Sequence, residues 1–239
     1  MNSPSDDIDA TSATRLRQVR ERIAQAARAA GRDASAVSLL AVSKTFDADA
    51  VAAMARCGQR EFGENYVQEG VAKVDALRSR WPDLCWHFIG PLQSNKTRDV
   101  AAHFDWVHSV ERLSVAQRLS RQREGRAPLQ VCVQVNVSGE ASKSGVEPAQ
   151  LDALAHAVAQ LPNLRLRGLM AIPAPATTLA AQRAPLARLR EQFERLRSAG
   201  LELDTLSMGM SADLEAAVLE GATLVRVGSA LFGARAKPV

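Results

Sequence analysis

Lys44 ends the most strand-like run in the first half of the chain, Val-Ser-Leu-Leu-Ala-Val-Ser-Lys over residues 37–44. An amine at the end of a hydrophobic strand is a nucleophile held by a rigid element. Burial there lowers its pKa from about 10.4 toward the range in which it condenses with an aldehyde to a Schiff base. Far downstream, Ser207-Met208-Gly209-Met210-Ser211 and Gly228-Ser229 follow two further strand-like runs. Such small, hydroxyl-rich turns suit a phosphate, because the backbone can come close and its N–H groups converge. An aldehyde-reactive lysine and a phosphate cradle together suggest pyridoxal 5'-phosphate (PLP). Each signal has a plain alternative. Lys44 is otherwise a solvated loop lysine, and Ser211 an ordinary cap on a helix with Asp213 in its first turn.

Other chemistry is poorly represented. His87 lies in one strand-like run and His103 and His108 near another, without the spacing of a metal site, so no metal is expected. The acidic residues form no dyad, and no catalytic residue is assigned. Asn65 follows a short strand, where it serves either as a hydrogen-bonding wall for a flat ligand or as a helix cap.

Composition sets the frame. The 239 residues suit one barrel domain, with residues 1–11 read as a disordered tail and 12–239 as the folded unit. The net charge is +4, without a block of five like charges and with few aromatics, so no nucleic-acid partner is expected. Cys57, Cys85 and Cys132 form no CxxC pair and no even set, which argues against a disulfide framework and for a reduced, cytoplasmic setting. The N-terminus is polar and acidic, and no run of about 18 apolar residues occurs, so neither a leader nor a membrane span is expected.

The elements that must position these residues alternate. Leu16, Val19, Ile23 and Ala30 recur at helical spacing up to Gly31, giving an opening helix. Strands are then expected at 37–43, 60–62, 86–89, 104–108, 130–137, 164–171, 203–207 and 223–227. Helices fall between them at about 48–57, 65–79, 94–102, 111–123, 148–160, 183–198 and 212–220. Eight β/α units of this size point to a single (β/α)8 TIM barrel, with an open doubly wound sheet as the alternative. In a barrel the valines of 131–137 meet the helices, while Cys132, Gln134 and Asn136 point inward. Strands 1 and 8 become neighbours on closure. Leu40, Val42 and Lys44 share one face of strand 1 and Leu224 and Arg226 one face of strand 8, so both charged groups can point into the barrel mouth.

In this order the residues resemble the PLP homeostasis protein family, whose fold looks like the N-terminal barrel of alanine racemase. The matching stretches include Ala41-Val-Ser-Lys-Thr45, Phe62-Gly-Glu-Asn-Tyr66, Trp86 to Lys96, Ser142-Lys-Ser-Gly145, Gly168 to Ile172, Ser207 to Asp213 and Val225-Arg-Val-Gly-Ser229. The resemblance implies that Lys44 carries PLP as a Schiff base, that Asn65 lies beside the ring and that Arg226 faces the pyridine nitrogen. Ser207, Ser211, Gly228 and Ser229 are the implied phosphate-loop positions, and Met208 and Gly209 of the same stretch are counted among the cofactor-binding residues. Phe46 and Asp47 depart from the Lys-Pro the family often has after the lysine motif.

An arginine opposite the ring nitrogen can only donate and favours the unprotonated ring, which weakens carbanion chemistry. The expected function is therefore a non-catalytic, monomeric PLP carrier that stores, buffers or delivers the cofactor, with apo PLP-dependent enzymes as recipients. The alternatives are an amino-acid racemase, for which Tyr66 is the one tyrosine that could serve as a second acid-base group, and a class I aldolase-like enzyme. Lys143, in a glycine-containing loop after strand 5, is a candidate amine for release.

Overall fold

The computed structural model describes residues 4–138 and 144–233. Eight parallel strands close into a barrel in sequence order. They are β1 Ser38–Val42, β2 Glu61–Glu64, β3 Cys85–Phe88, β4 Trp106–Val110, β5 Leu129–Gln134, β6 Leu164–Met170, β7 Thr205–Ser207 and β8 Leu224–Val227. The helices are α1 Pro4–Ala29, α2 Ala48–Arg56, α3 Val67–Leu77, α4 Thr97–His103, α5 Leu113–Gln122, α6 Leu151–Ala159, α7 Leu179–Ser198, α8 Leu214–Leu219 and α9 Ser229–Phe232. The single TIM barrel expected from the alternation is the fold observed.

Strand parity sorts the side chains into two cores. Leu39, Ala41, Phe62, Val107, Val131, Val133 and Val225 face the helices in the main core, whereas Leu40, Val42, Ile89 and Leu224 form a small cluster inside the barrel. Burying a Leu or Val side chain stabilises by about 1.5–3 kcal/mol, so each strand is fixed by which of its faces is the greasier. Closure pairs β1 with β8 and sets Leu40 beside Arg226.

Among the boundaries that differ from the sequence expectation, three show how the chain is capped or tied. Residues 4–11, placed in a disordered tail, continue α1, where Arg56 donates to both carboxylate oxygens of Asp9 at 2.7 Å. That bidentate pair ties the extension to α2. The helix expected from 148 starts at Leu151 after a single tighter turn over Pro148–Gln150. The helix expected from 183 starts at Leu179, because the Thr178 hydroxyl caps the Ala181 N–H at 3.2 Å and offsets the cost of Pro185 inside the helix.

Candidate functional site

The C-terminal ends of the strands surround a cavity of about 290 Å³. Lys44, two residues beyond β1, and Arg226, within β8, both line it, together with Asn65, Ser211, Gly228 and Ser229. Val42 and Ile89 supply an apolar wall, and Ile172 and Met210, both exposed, stand at the rim. Lys44 is half-buried, as a strand-end amine beneath a rim must be. Asn65 is placed by close backbone packing: a Cβ on Gly90 would stand 2.1 Å from the Asn65 carbonyl oxygen. Its side-chain Oδ1 is buried without a hydrogen-bond partner. An amide oxygen left so costs about 1–3 kcal/mol, which marks a position built for a donor.

Ser211 and Ser229 meet across the cavity edge, their hydroxyl oxygens 3.2 Å apart. Ser211 does not cap α8, which begins at Leu214 with Asp213 at the capping position; Asp213 instead accepts the Met210 N–H at 2.7 Å. Arg22 of α1 donates to the Ser211 carbonyl at 3.1 Å and holds Glu215 through two further bonds, so the outer helices brace this turn.

Three of the implied cofactor-binding residues, Ser207, Met208 and Gly209, do not line this cavity. Met208 is fully buried in the main core. Gly209, at φ +92°, turns the chain so that its carbonyl accepts the Arg226 N–H at 2.9 Å, and a Cβ there would meet Ala217 at 2.4 Å. Ser207 points inward from β7 and is fully buried, with its hydroxyl 2.8 Å from Arg226 Nη1 and 2.8 Å from His108 Nδ1. Its side chain meets the cavity only through Arg226. Tyr66 is exposed, and Lys143 lies outside the described residues.

Beneath the cavity runs a polar chain that sequence reasoning missed. His108 Nε2 is 2.9 Å from His87 Nδ1, and His87 Nε2 is 3.3 Å from Cys85 Sγ. Arg226 at one end is a donor only, so the arrangement that gives the Ser207 proton an acceptor has the hydroxyl donating to His108 Nδ1. His108 then carries its proton on Nε2 and gives that bond to His87, which donates toward Cys85. Burial holds both imidazoles neutral, pushing His87 down to about 3 and His108 well below its usual range. The clue was available in the sequence: His87 and His108 alternate with Trp86, Phe88 and Val107 of the main core, the inward parity read correctly for Cys132.

Arg226 is 3% exposed, and burial lowers its pKa to about 10, which still leaves a guanidinium at neutral pH. Besides Ser207, it donates to the Ala171 carbonyl at 2.9 Å. No group of three or more His, Cys, Asp or Glu side chains among the described residues is arranged to hold a metal ion. No helix among them is long and apolar enough to cross a membrane.

Comparison with known proteins meets this geometry. The family model of the alanine racemase N-terminal domain matches residues 14–236. The pyridoxal phosphate homeostasis protein of Pseudomonas aeruginosa is 62% identical over 226 residues, 94% of this chain and 96% of that protein. The chain belongs to the pyridoxal phosphate homeostasis protein family. The member from Escherichia coli K12 is 53% identical over 92% of this chain and 95% of its own. Among solved structures, PipY of Synechococcus elongatus with PLP bound superposes with a TM-score of 0.81 and 41% identity, over 93% of this chain and all of that one. Alanine racemase of Corynebacterium glutamicum, 17% identical with a TM-score of 0.69, shares the fold over 95% of this chain but 61% of its own.

Proposed function

We propose that this protein holds PLP in the cavity around Lys44 and serves PLP homeostasis as a non-catalytic carrier that stores, buffers or delivers the cofactor. The observation that carries this reading is the convergence of an amine, a guanidinium, a partnerless amide oxygen and two adjacent hydroxyls on one cavity. That donor set fits PLP, which supplies an aldehyde that condenses with an amine and a pyridine ring able to draw electrons. PipY, solved with PLP bound, and relatives named for PLP homeostasis support the same reading.

Each residue has a task. The Lys44 amine takes the aldehyde, expelling one water. Asn65 lies against the ring. The Ser211 and Ser229 hydroxyls donate to the phosphate. Arg226 faces the ring nitrogen, and since a guanidinium only donates, it discourages a proton there and with it carbanion chemistry. Ser207 acts through Arg226 by accepting a hydrogen bond from its guanidinium. The protein works as a monomer in the cytoplasm and passes PLP to apo-enzymes that need it.

The test uses the purified full chain and PLP. The mixture turns yellow, borohydride fixes a phosphopyridoxyl group on Lys44, and added alanine is not racemised. A Lys44→Ala protein that kept the full visible absorbance would remove Lys44 from the role, and rapid racemisation by the wild type would replace the carrier with an enzyme.

A further inference from the structure

Lys44 stands at the second position of a four-residue turn, closed by the Phe46 N–H donating to the Ser43 carbonyl at 3.1 Å. The third residue, Thr45, has φ +69°. Positive φ at the third position alone is the signature of a type II turn, which ordinarily places glycine or asparagine there. A threonine crowds its own backbone in that conformation. Nothing in the turn's own sequence selects this form.

Selection comes from a buried ion cluster behind the turn. The Thr45 N–H donates to Glu69 Oε1 at 2.6 Å. The ammonium of Lys73 donates to that same oxygen at 2.6 Å, to Glu64 Oε1 at 2.8 Å and to the Ser43 carbonyl at 2.8 Å. The Ser43 hydroxyl completes the ring by donating to Glu64 Oε1 at 2.6 Å. The backbone groups on both sides of Lys44 are thus tied to one ammonium, itself only 4% exposed. At the far end of the turn, Phe46 stacks on Phe232 of α9 with ring centroids 5.0 Å apart. Because a carboxylate only accepts, Glu69 rewards the central peptide for turning its N–H inward; the alternative type I turn would rotate that N–H away.

We infer that Glu69 and Lys73 are positioning residues, which hold the Lys44 turn in its positive-φ form and so fix how the Lys44 amine is presented to the cavity. The link to PLP rests on the reading of Lys44 as its attachment point; the hold on the turn does not. The same cluster explains why charged side chains are kept in the wall behind a strand end, where burial raises the pKa of Glu64 in spite of Lys73.

Two measurements on Glu69→Ala test this. In the protein without PLP, amide hydrogen exchange at Thr45 should accelerate about tenfold or more, as a backbone N–H loses its charged acceptor. With PLP added, the rate at which borohydride-fixed label accumulates on Lys44 should fall about tenfold, while the melting temperature stays close to wild type. Thr45→Gly should restore that rate in the Glu69→Ala background, since glycine takes positive φ without a crowded Cβ, and should leave labelling intact on its own. Unchanged Thr45 exchange in Glu69→Ala would overturn the inference, as would a labelling defect that Thr45→Gly does not relieve. If the wild type takes no label at Lys44, the attachment reading fails instead, and the exchange comparison still decides whether Glu69 holds the turn.

Discussion

The Ser207 hydroxyl oxygen lies 2.8 Å from His108 Nδ1 and, on its other side, 2.8 Å from the Arg226 guanidinium. With Arg226 only donating, giving the Ser207 proton an acceptor directs every hydrogen bond down to Cys85 and places both buried imidazoles in the Nε2–H tautomer. Long-range proton–nitrogen correlation spectra should show both histidines with a protonated Nε2 and a bare Nδ1 at neutral pH.

Acid should undo this arrangement. An unfolded histidine binds a proton near pH 6.5, but His87 in the folded protein does so only at about 3, so the unfolded state takes up more protons throughout that window. Stability is complete above pH 6.5 and falls as the pH is lowered, by roughly 2 kcal/mol for such a histidine at pH 5. Urea midpoints at pH 7 and pH 5 measure the loss, and His87→Gln should make it smaller.

Ser207→Ala should destabilise by about 1–3 kcal/mol, because it leaves Arg226 Nη1 without its acceptor and His108 Nδ1 without its partner in a dry interior. Were the hydroxyl a phosphate ligand, the stability of the unloaded protein would barely change. Urea titration without PLP separates the two roles.

Gly90→Ala should cost about 1–3 kcal/mol or more through overpacking, since the new Cβ collides with backbone and not with a yielding side chain. The displaced atoms belong to Asn65, so PLP retention on gel filtration should fall with it. A substitution tolerated in both assays would mean that Asn65 does not need its present position.

Arg226→Glu should let the ring nitrogen take a proton and raise the exchange of the α-proton of added amino acids, compared at equal PLP occupancy. Deuterium incorporation followed by mass spectrometry reads the effect, and a thermal melt shows whether the variant stays folded. Equal exchange in a folded, loaded variant would leave Arg226 with a structural part alone.

Most of the barrel was legible because its strands bury two unlike faces. Val131, Val133 and Val135 advertised β5 through alternation, and the run before Lys44 advertised β1. β2 was faint, since Glu61–Glu64 is short and half of it is Gly63 and Glu64, residues that signal no strand. At the site, Lys44, Asn65, Arg226 and the serines of the last two turns were recoverable as side-chain types at strand ends. Ser207 was read as a phosphate-loop position because a serine-rich turn begins there, although as the last residue of the expected strand 203–207, after the outward-facing Leu206, it points into the barrel. The support from Glu69 and Lys73 could not be read at all: their role follows from Thr45 adopting a conformation that its residue type disfavours.

The pairing of β1 with β8 also governs when the site comes into being. Lys44 is made well before Arg226, and they come to line one cavity only when β8 docks against β1, the strand pairing of greatest sequence separation and so one that forms slowly. A nascent chain still lacking β8 offers an amine but no guanidinium and no second serine turn. On the proposed reading of Lys44, capture of a reactive aldehyde is thereby deferred until the barrel is shut, and the ability to hold PLP would report completed folding.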